Sequence, residues 1–241
     1  MEAILNRMRG HAWDIGRAAL WAADAGNALR RCLRVEGEHL TIAGKRIPLP
    51  PNRKLWVLGA GKASARMAQE VENLIPGRIA GGLVLTKYGH SVPTRHVLIR
   101  EAGHPVPDEN SSQGTREIIT LLRETIEPDD LVLFLLSGGA SALMEIPAAG
   151  LSMQDLAAVN QVLLSCGATI QEMNTIRKHL SAVKGGQLAR IAGDTDMVTL
   201  ILSDVPGDDL EAIGSGPTVA DTGTFSQALA VLKKYELESK I

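Results

Sequence analysis

A chain of 241 residues, 45% hydrophobic and 22% charged, has the make-up of a packed globular domain, which excludes global disorder. A net charge of -2 and only 3% aromatic residues leave neither a basic surface nor stacking platforms for nucleic acid. Cys32 and Cys166 stand far apart without CxxC spacing, and the apolar run Leu131 to Leu136 is too short for a bilayer, so the sequence reads as a soluble, cytoplasmic protein without a zinc site.

The segment from His11 to Leu33 places Trp13, Ala18, Leu20, Ala25, Leu29 and Leu33 near helical spacing, which predicts an amphipathic helix on the outside of the domain. Charged residues from Glu2 to Asp14 make this stretch unlike a secretory leader. Leu40 to Ile47 predicts a short extended piece interrupted at Ala43-Gly44, and the prolines 48, 50 and 51 form a stiff loop. One theme then repeats. Apolar strands at Lys54 to Leu58, Gly82 to Thr86, His96 to Arg100, Leu131 to Leu136 and Met197 to Leu202 each run into a Gly- or Asp-rich bend. Helices are expected at Lys62 to Leu74, from Asp108 to about Glu124, and from a Ser152–Asp155 capping box to Gly167. Two more are expected, from Ile170 toward Ile191 with a break at Gly185-Gly186, and from Thr224 to Lys234. Short Val/Leu/Ile strands alternating with helices predict an α/β fold: a doubly wound, mostly parallel, Rossmann-like sheet with helices on both faces. The bends then gather along the carboxyl edge of that sheet, where such folds bind ligands.

Three bends carry chemistry. In Gly59-Ala60-Gly61-Lys62-Ala63-Ser64 the glycines would leave amides open to an anion at a helix start, and Lys62 is a cation poorly placed there unless an anion arrives. Trp56 and Ala63 break the Walker A pattern, and Ser64 stands where a dinucleotide fingerprint has its third glycine. Ser137-Gly138-Gly139-Ala140-Ser141 offers hydroxyls and amides to phosphate or carboxylate, but its flanks do not fit a hydrolase elbow. In Ser203-Asp204-Val205-Pro206-Gly207-Asp208-Asp209, Asp204 follows the strand directly and is suited to Mg²⁺, while Asp208 and Asp209 are ordinary turn residues. Asn174, Arg177, Ser181 and Lys184, three, four and three apart, form one helical stripe that could grip an anion, with Lys178 and His179 beside it. His104 and Asp108, in a proline-stiffened turn, could face the same cleft, although helix capping is the simpler role for Asp108.

Five ordered motifs resemble the N-terminal domain of the MOFRL-type, class II glycerate 2-kinases, which also carry the name hydroxypyruvate reductase. They are Val57 to Ala63, Gly103 to Asp108, Leu136 to Leu143, Asn174 to Ser181 with Lys184-Gly185-Gly186, and Leu202 to Asp208 with Gly214-Ser215-Gly216-Pro217-Thr218. The resemblance implies transfer of the ATP γ-phosphoryl group to the 2-hydroxyl of D-glycerate, with ATP and Mg²⁺ required and the family's catalytic lysine falling on Lys62. On this reading Gly59, Gly61, Ser137, Gly138, Gly139, Ser141, Asn174, Arg177, Lys184, His104 and Asp108 are the candidates for binding substrate or phosphate, and Asp204 for the metal. Members of the family are longer, with a C-terminal domain that closes the cleft and supplies an arginine. Residues 1–241 are accordingly expected to be a single N-terminal domain holding part of the active site, inactive alone, with a homodimer left open. Two other readings stand beside it: an NAD(P)-dependent hydroxypyruvate reductase, although Gly81-Gly82 occupy the place of its acidic ribose reader, and an anion-binding domain without turnover.

Overall fold

The computed structural model describes residues 1–237. Two helices, α1 (Glu2–Ala23) and α2 (Ala25–Cys32), lead into an antiparallel meander of β1 (Leu33–Glu36), β2 (His39–Ile42) and β3 (Lys45–Pro48). Five strands then build the main sheet: β4 (Leu55–Ala60), β5 (Ile79–Lys87), β6 (Val97–Ala102), β7 (Leu131–Ser137) and β8 (Asp196–Leu202). All pair in parallel, as the sequence predicts, and their order is β6-β5-β4-β7-β8. Construction runs outward from β4 to β6 on one side and from β7 to β8 on the other. The β4–β7 boundary is therefore the switch point at which ligands of such sheets bind.

Alternation along the strands explains the layers. Val57, Leu133 and Leu135 point into one core with Met67, Ala68 and Val71 of α3 (Ser64–Leu74) and with Leu29, Leu33 and Leu40. Leu58, Phe134 and Leu136 point into the opposite core with Ile118 of α4 (Glu109–Thr120), Leu143 of α5 (Ala140–Leu143) and Leu188 of α8 (Gln187–Ala192). β7 is buried at every position, as a central strand covered on both faces must be. A third cluster joins α6 (Met153–Ser165), α7 (Ile170–His179) and α9 (Phe225–Lys234) through Leu163, Ile176 and Ala228.

Two expected helices are divided. The stretch 11–33 breaks at Asp24, whose extended backbone lets its carboxylate accept the Asn27 N–H and cap α2. Only α2 packs as expected; α1 buries no residue. The stretch after Ile170 stops being helical at Leu180, and Gly185 and Gly186 take positive φ before α8 begins. At the β4 bend, the strand extends to Ala60 and α3 starts at Ser64, so Lys62 lies just outside the helix. Ser152 caps α6 as predicted, and Thr224 caps α9.

Candidate active site

The β4 and β7 bends are stitched to one another. The Lys62 N–H donates to the Gly138 carbonyl at 2.9 Å and the Ala63 N–H to the Ser137 hydroxyl at 3.0 Å. Gly61 donates to Leu85 O at 3.0 Å, and the buried Ser64 hydroxyl reaches Leu85 O and Gly61 O, each at 2.7 Å. Gly61, at φ +139°, admits no side chain because a Cβ would strike Ser137, and a Cβ on Gly59 would strike the Leu135 backbone. This corrects the expectation of open amides at Gly59 and Gly61. Both glycines serve close packing of β4 against β7, and the hydroxyl of buried Ser137 accepts the Ala63 N–H.

The open amides lie on the other bend. The N–H groups of Gly139, Ala140 and Ser141 donate to no acceptor among the described residues. A Cβ on Gly138 would collide with the Asp204 carboxylate, and one on Gly139 would lie 2.8 Å from the His104 ring and 3.2 Å from Cγ of Lys62. Lys62, His104 and Asp204, from three different bends, thus converge on Gly138-Gly139. The Lys62 ammonium stands 3.9 Å from the Asp204 carboxylate, and both side chains are open to solvent, 42% and 62% exposed. Burial depresses the His104 pKa, and the positive charges of Lys62 and Lys87 depress it further, so the imidazole is neutral at pH 7.

Beside this cluster is a cavity of about 200 Å³ lined by His104, Gly139, Ser141, Glu145, Asn160 and Arg177. The Arg177 Nε donates to Asn160 Oδ1 at 2.6 Å, which fixes the guanidinium, while its Nη groups hydrogen-bond no protein acceptor among the described residues. Burial lowers the Arg177 pKa and the Glu145 charge pushes it back up. The Ser141 hydroxyl meets that of Ser215 at 2.8 Å.

Other expected site residues are engaged elsewhere. Lys184 is 1% exposed and ion-paired with buried Glu145, which also accepts the Ser181 hydroxyl at 2.6 Å. Burial holds the Lys184 ammonium below its usual pKa, with Glu145 pulling upward and Arg177 downward. Asn174 lines a separate small cavity with Asp209 and Glu211. Asp108 accepts the Ser111 N–H in a capping box and the Tyr88 hydroxyl at 2.6 Å, so it closes α4 rather than facing the cavity. Lys178 is paired with Glu211 and Asp221. The stripe from Asn174 to Lys184 fails as a unit because α7 ends at His179, and Arg177 alone of its four members lines the cavity. Sequence reasoning passed over Glu145 and Asn160. Glu145 had a signal, a single carboxylate between Met144 and Ile146-Pro147; Asn160, inside an ordinary amphipathic helix, had none.

A family model described as a domain of unknown function, DUF4147, matches residues 11–241. The chain belongs to the DUF4147 family. Curated relatives of this DUF4147 chain include the glycerate 2-kinase of Pyrococcus horikoshii, 41% identical over 223 residues, covering 92% of the chain and 49% of the relative. The D-glycerate 2-kinase of Thermotoga maritima is 46% identical over 187 residues, covering 77% and 45%. A relative from Agrobacterium vitis bearing a hydroxypyruvate reductase name is 50% identical over 192 residues, covering 80% and 44%. The DUF4147 chain spans about half the length of the curated relatives it matches. Its structure superposes on that of the glycerate kinase from Thermotoga maritima with a TM-score of 0.83 at 38% identity, over 97% of this chain and 53% of the other. A second crystal structure, of a protein from Pyrococcus horikoshii, gives 0.89 at 38% identity over 97% and 52%. These matches agree with the resemblance carried by the five motifs. Among the described residues, no helix is long and apolar enough to cross a membrane.

Proposed function

We propose that this chain is the N-terminal domain of a glycerate 2-kinase and contributes half of a site that transfers the ATP γ-phosphoryl group to the 2-hydroxyl of D-glycerate. The observation that carries the proposal is the meeting of Lys62, His104, Asp204 and the undonated amides of Gly139 to Ser141 at the sheet's switch point, beside an arginine-lined cavity of small-acid size. Phosphoryl transfer asks for positioning and charge neutralisation and little covalent chemistry. Arg177 holds the acid's carboxylate, and its Nη groups are those that Asn160 leaves free. The amides of residues 139–141 accept oxygens of the transferring group. Lys62, at the mouth, neutralises charge as it builds on those oxygens. His104, kept neutral, is placed to take the hydroxyl proton. Asp204 fits Mg²⁺ as a single solvent-facing carboxylate, since that ion takes one or two carboxylates with substrate phosphates and water. No group of three or more His, Cys, Asp or Glu forms a dedicated metal cage among the described residues. Bound Mg²⁺ would neutralise the nucleotide phosphates.

The reductase reading is less well supported. A dinucleotide pyrophosphate binds the amides of the first bend, and in this chain the N–H groups of Gly61 to Ala63 are all engaged, by Leu85 of β5, by Gly138 of the β7 bend and by Ser137 of β7.

The test measures ADP released from ATP and D-glycerate in a coupled assay, with the chain alone and mixed with the C-terminal half of the Thermotoga maritima enzyme. Activity in the mixture is expected. Lys62→Met should lower kcat roughly 100- to 1,000-fold, and Arg177→Gln should raise KM for D-glycerate roughly 10- to 100-fold. Nicotinamide oxidation by hydroxypyruvate without ATP, or a Lys62→Met protein at normal rate, would overturn the proposal.

A further inference from the structure

The helix α1 carries a face without an occupant. Leu5, Met8, Ala12, Ile15, Ala19 and Ala22 recur three, four, three, four and three residues apart, the repeat of a seam between two helices. All are exposed, Met8 at 60% and Ile15 at 71%, and Ile4 lies beside them. The five charged residues of α1, Glu2, Arg7, Arg9, Asp14 and Arg17, all fall off this stripe. A helix of 22 residues with nothing buried is marginal in water, and packing of an apolar face is what stabilises such helices in proteins.

We propose that this stripe is a dimer interface and that its occupant is α1 of a second copy of this chain. The stripe offers on the order of 600 Å² per copy, and a symmetric pair would bury about 1,200 Å², which reaches the range of stable specific interfaces. Three alanines at its centre and end let two helix backbones approach closely. A two-fold pairing is self-complementary here, apolar on apolar, with every charge left in solvent. Ala12 lies next to the middle of the repeat, so it faces its own copy when the two helices run parallel and unstaggered and lies within one turn of it when they run antiparallel.

Light scattering and sedimentation velocity on the 241-residue chain at tens of micromolar should give twice the monomer mass of 25.7 kDa. Met8→Glu and Ile15→Glu should each weaken self-association at least tenfold with the circular dichroism of the rest of the fold retained, whereas Arg17→Glu, off the stripe, should change nothing. In a Cys32→Ser/Cys166→Ser background, Ala12→Cys should give a covalent dimer on diamide oxidation and Arg17→Cys should not. A monomeric wild-type chain, or a dimer indifferent to Ile15→Glu, overturns the proposal. So does a monomer that loses, on Ile15→Glu, its binding to the C-terminal half of a longer relative, because the face would then belong to that half.

Discussion

Two lysine–carboxylate pairs sit near the candidate cavity and differ in nearly every physical respect. Lys184 and Glu145 are buried, in direct contact, and supported by the Ser181 hydroxyl. Lys62 and Asp204 face solvent 3.9 Å apart, and neither accepts or donates a hydrogen bond to the other. A buried ion pair sets its partners' desolvation cost against their attraction, so losing one partner leaves a charge stranded. An exposed pair at that separation contributes roughly 0–1 kcal/mol. One lysine is committed to the fold, and the other, exposed and without a hydrogen bond to its carboxylate, is the one proposed above to meet an anion. Both follow or precede glycines in the sequence, so spacing alone does not tell them apart.

The widest gap between the pairs should appear in stability. Lys184→Met strands the Glu145 carboxylate and should cost about 3–5 kcal/mol in urea denaturation, and Lys184→Met with Glu145→Leu should recover most of that loss. If the single variant unfolds at the wild-type midpoint, Lys184 is not structural and returns as a candidate anion binder. A smaller effect is expected at Glu72, a third buried charge that is satisfied by backbone alone. It accepts the N–H groups of Arg95 and His96 at 2.7 Å and of Val97 at 2.9 Å, tying α3 to the helix-free connection between β5 and β6. Burial tends to raise its pKa, but those three bonds outweigh it and hold the carboxyl below the usual range. Its stabilisation is therefore present above the unfolded value of about 4.3 and is lost as pH falls through the lower folded value. Glu72→Gln should cost about 1–3 kcal/mol at pH 7, and stability measured against pH should lose part of its acid-side slope.

The fold was legible because it depends on patterns that are local in the chain. Continuous apolar strands such as Leu131 to Leu136, each followed by a glycine bend, specify buried parallel strands whatever else surrounds them. The bends were legible as positions but not as roles. Whether the Gly61–Ala63 bend opens its amides to a ligand or closes them onto Leu85 and Ser137 depends on β5 and β7, which follow later in the chain, and the same tight conformation serves either end. The helical stripe misled because periodicity was extended past Leu180, where the chain turns to bridge Pro147 with Ser181. Arg177 survived that error because it precedes the break. Asn160 reached the cavity from a helix whose only visible signal was amphipathic packing, so its role required the tertiary contact with Arg177.

The smallest effect is the one that sharpens the comparison most. Lys62→Met removes a half-exposed ammonium whose nearest carboxylate is 3.9 Å away, so it should change unfolding free energy by less than about 0.5 kcal/mol while reducing turnover severely. A stabilisation of similar size is equally consistent, since binding sites hold charges together at some cost to the fold. The same substitution has a signature that a purely structural lysine would not give. Lys62 is one of two cations that hold the His104 pKa down, so its loss should move the imidazole back toward its ordinary value, while burial and Lys87 keep part of the depression. A histidine with a depressed folded pKa makes stability fall as pH drops through the interval between its unfolded and folded values. That slope should flatten in Lys62→Met. Imidazole proton resonances followed by NMR from pH 4 to 8 would measure the shift. A loss of 2 kcal/mol or more, with His104 titrating unchanged, would place Lys62 with Lys184 among the residues that hold the sheet together and erase the distinction between the two pairs.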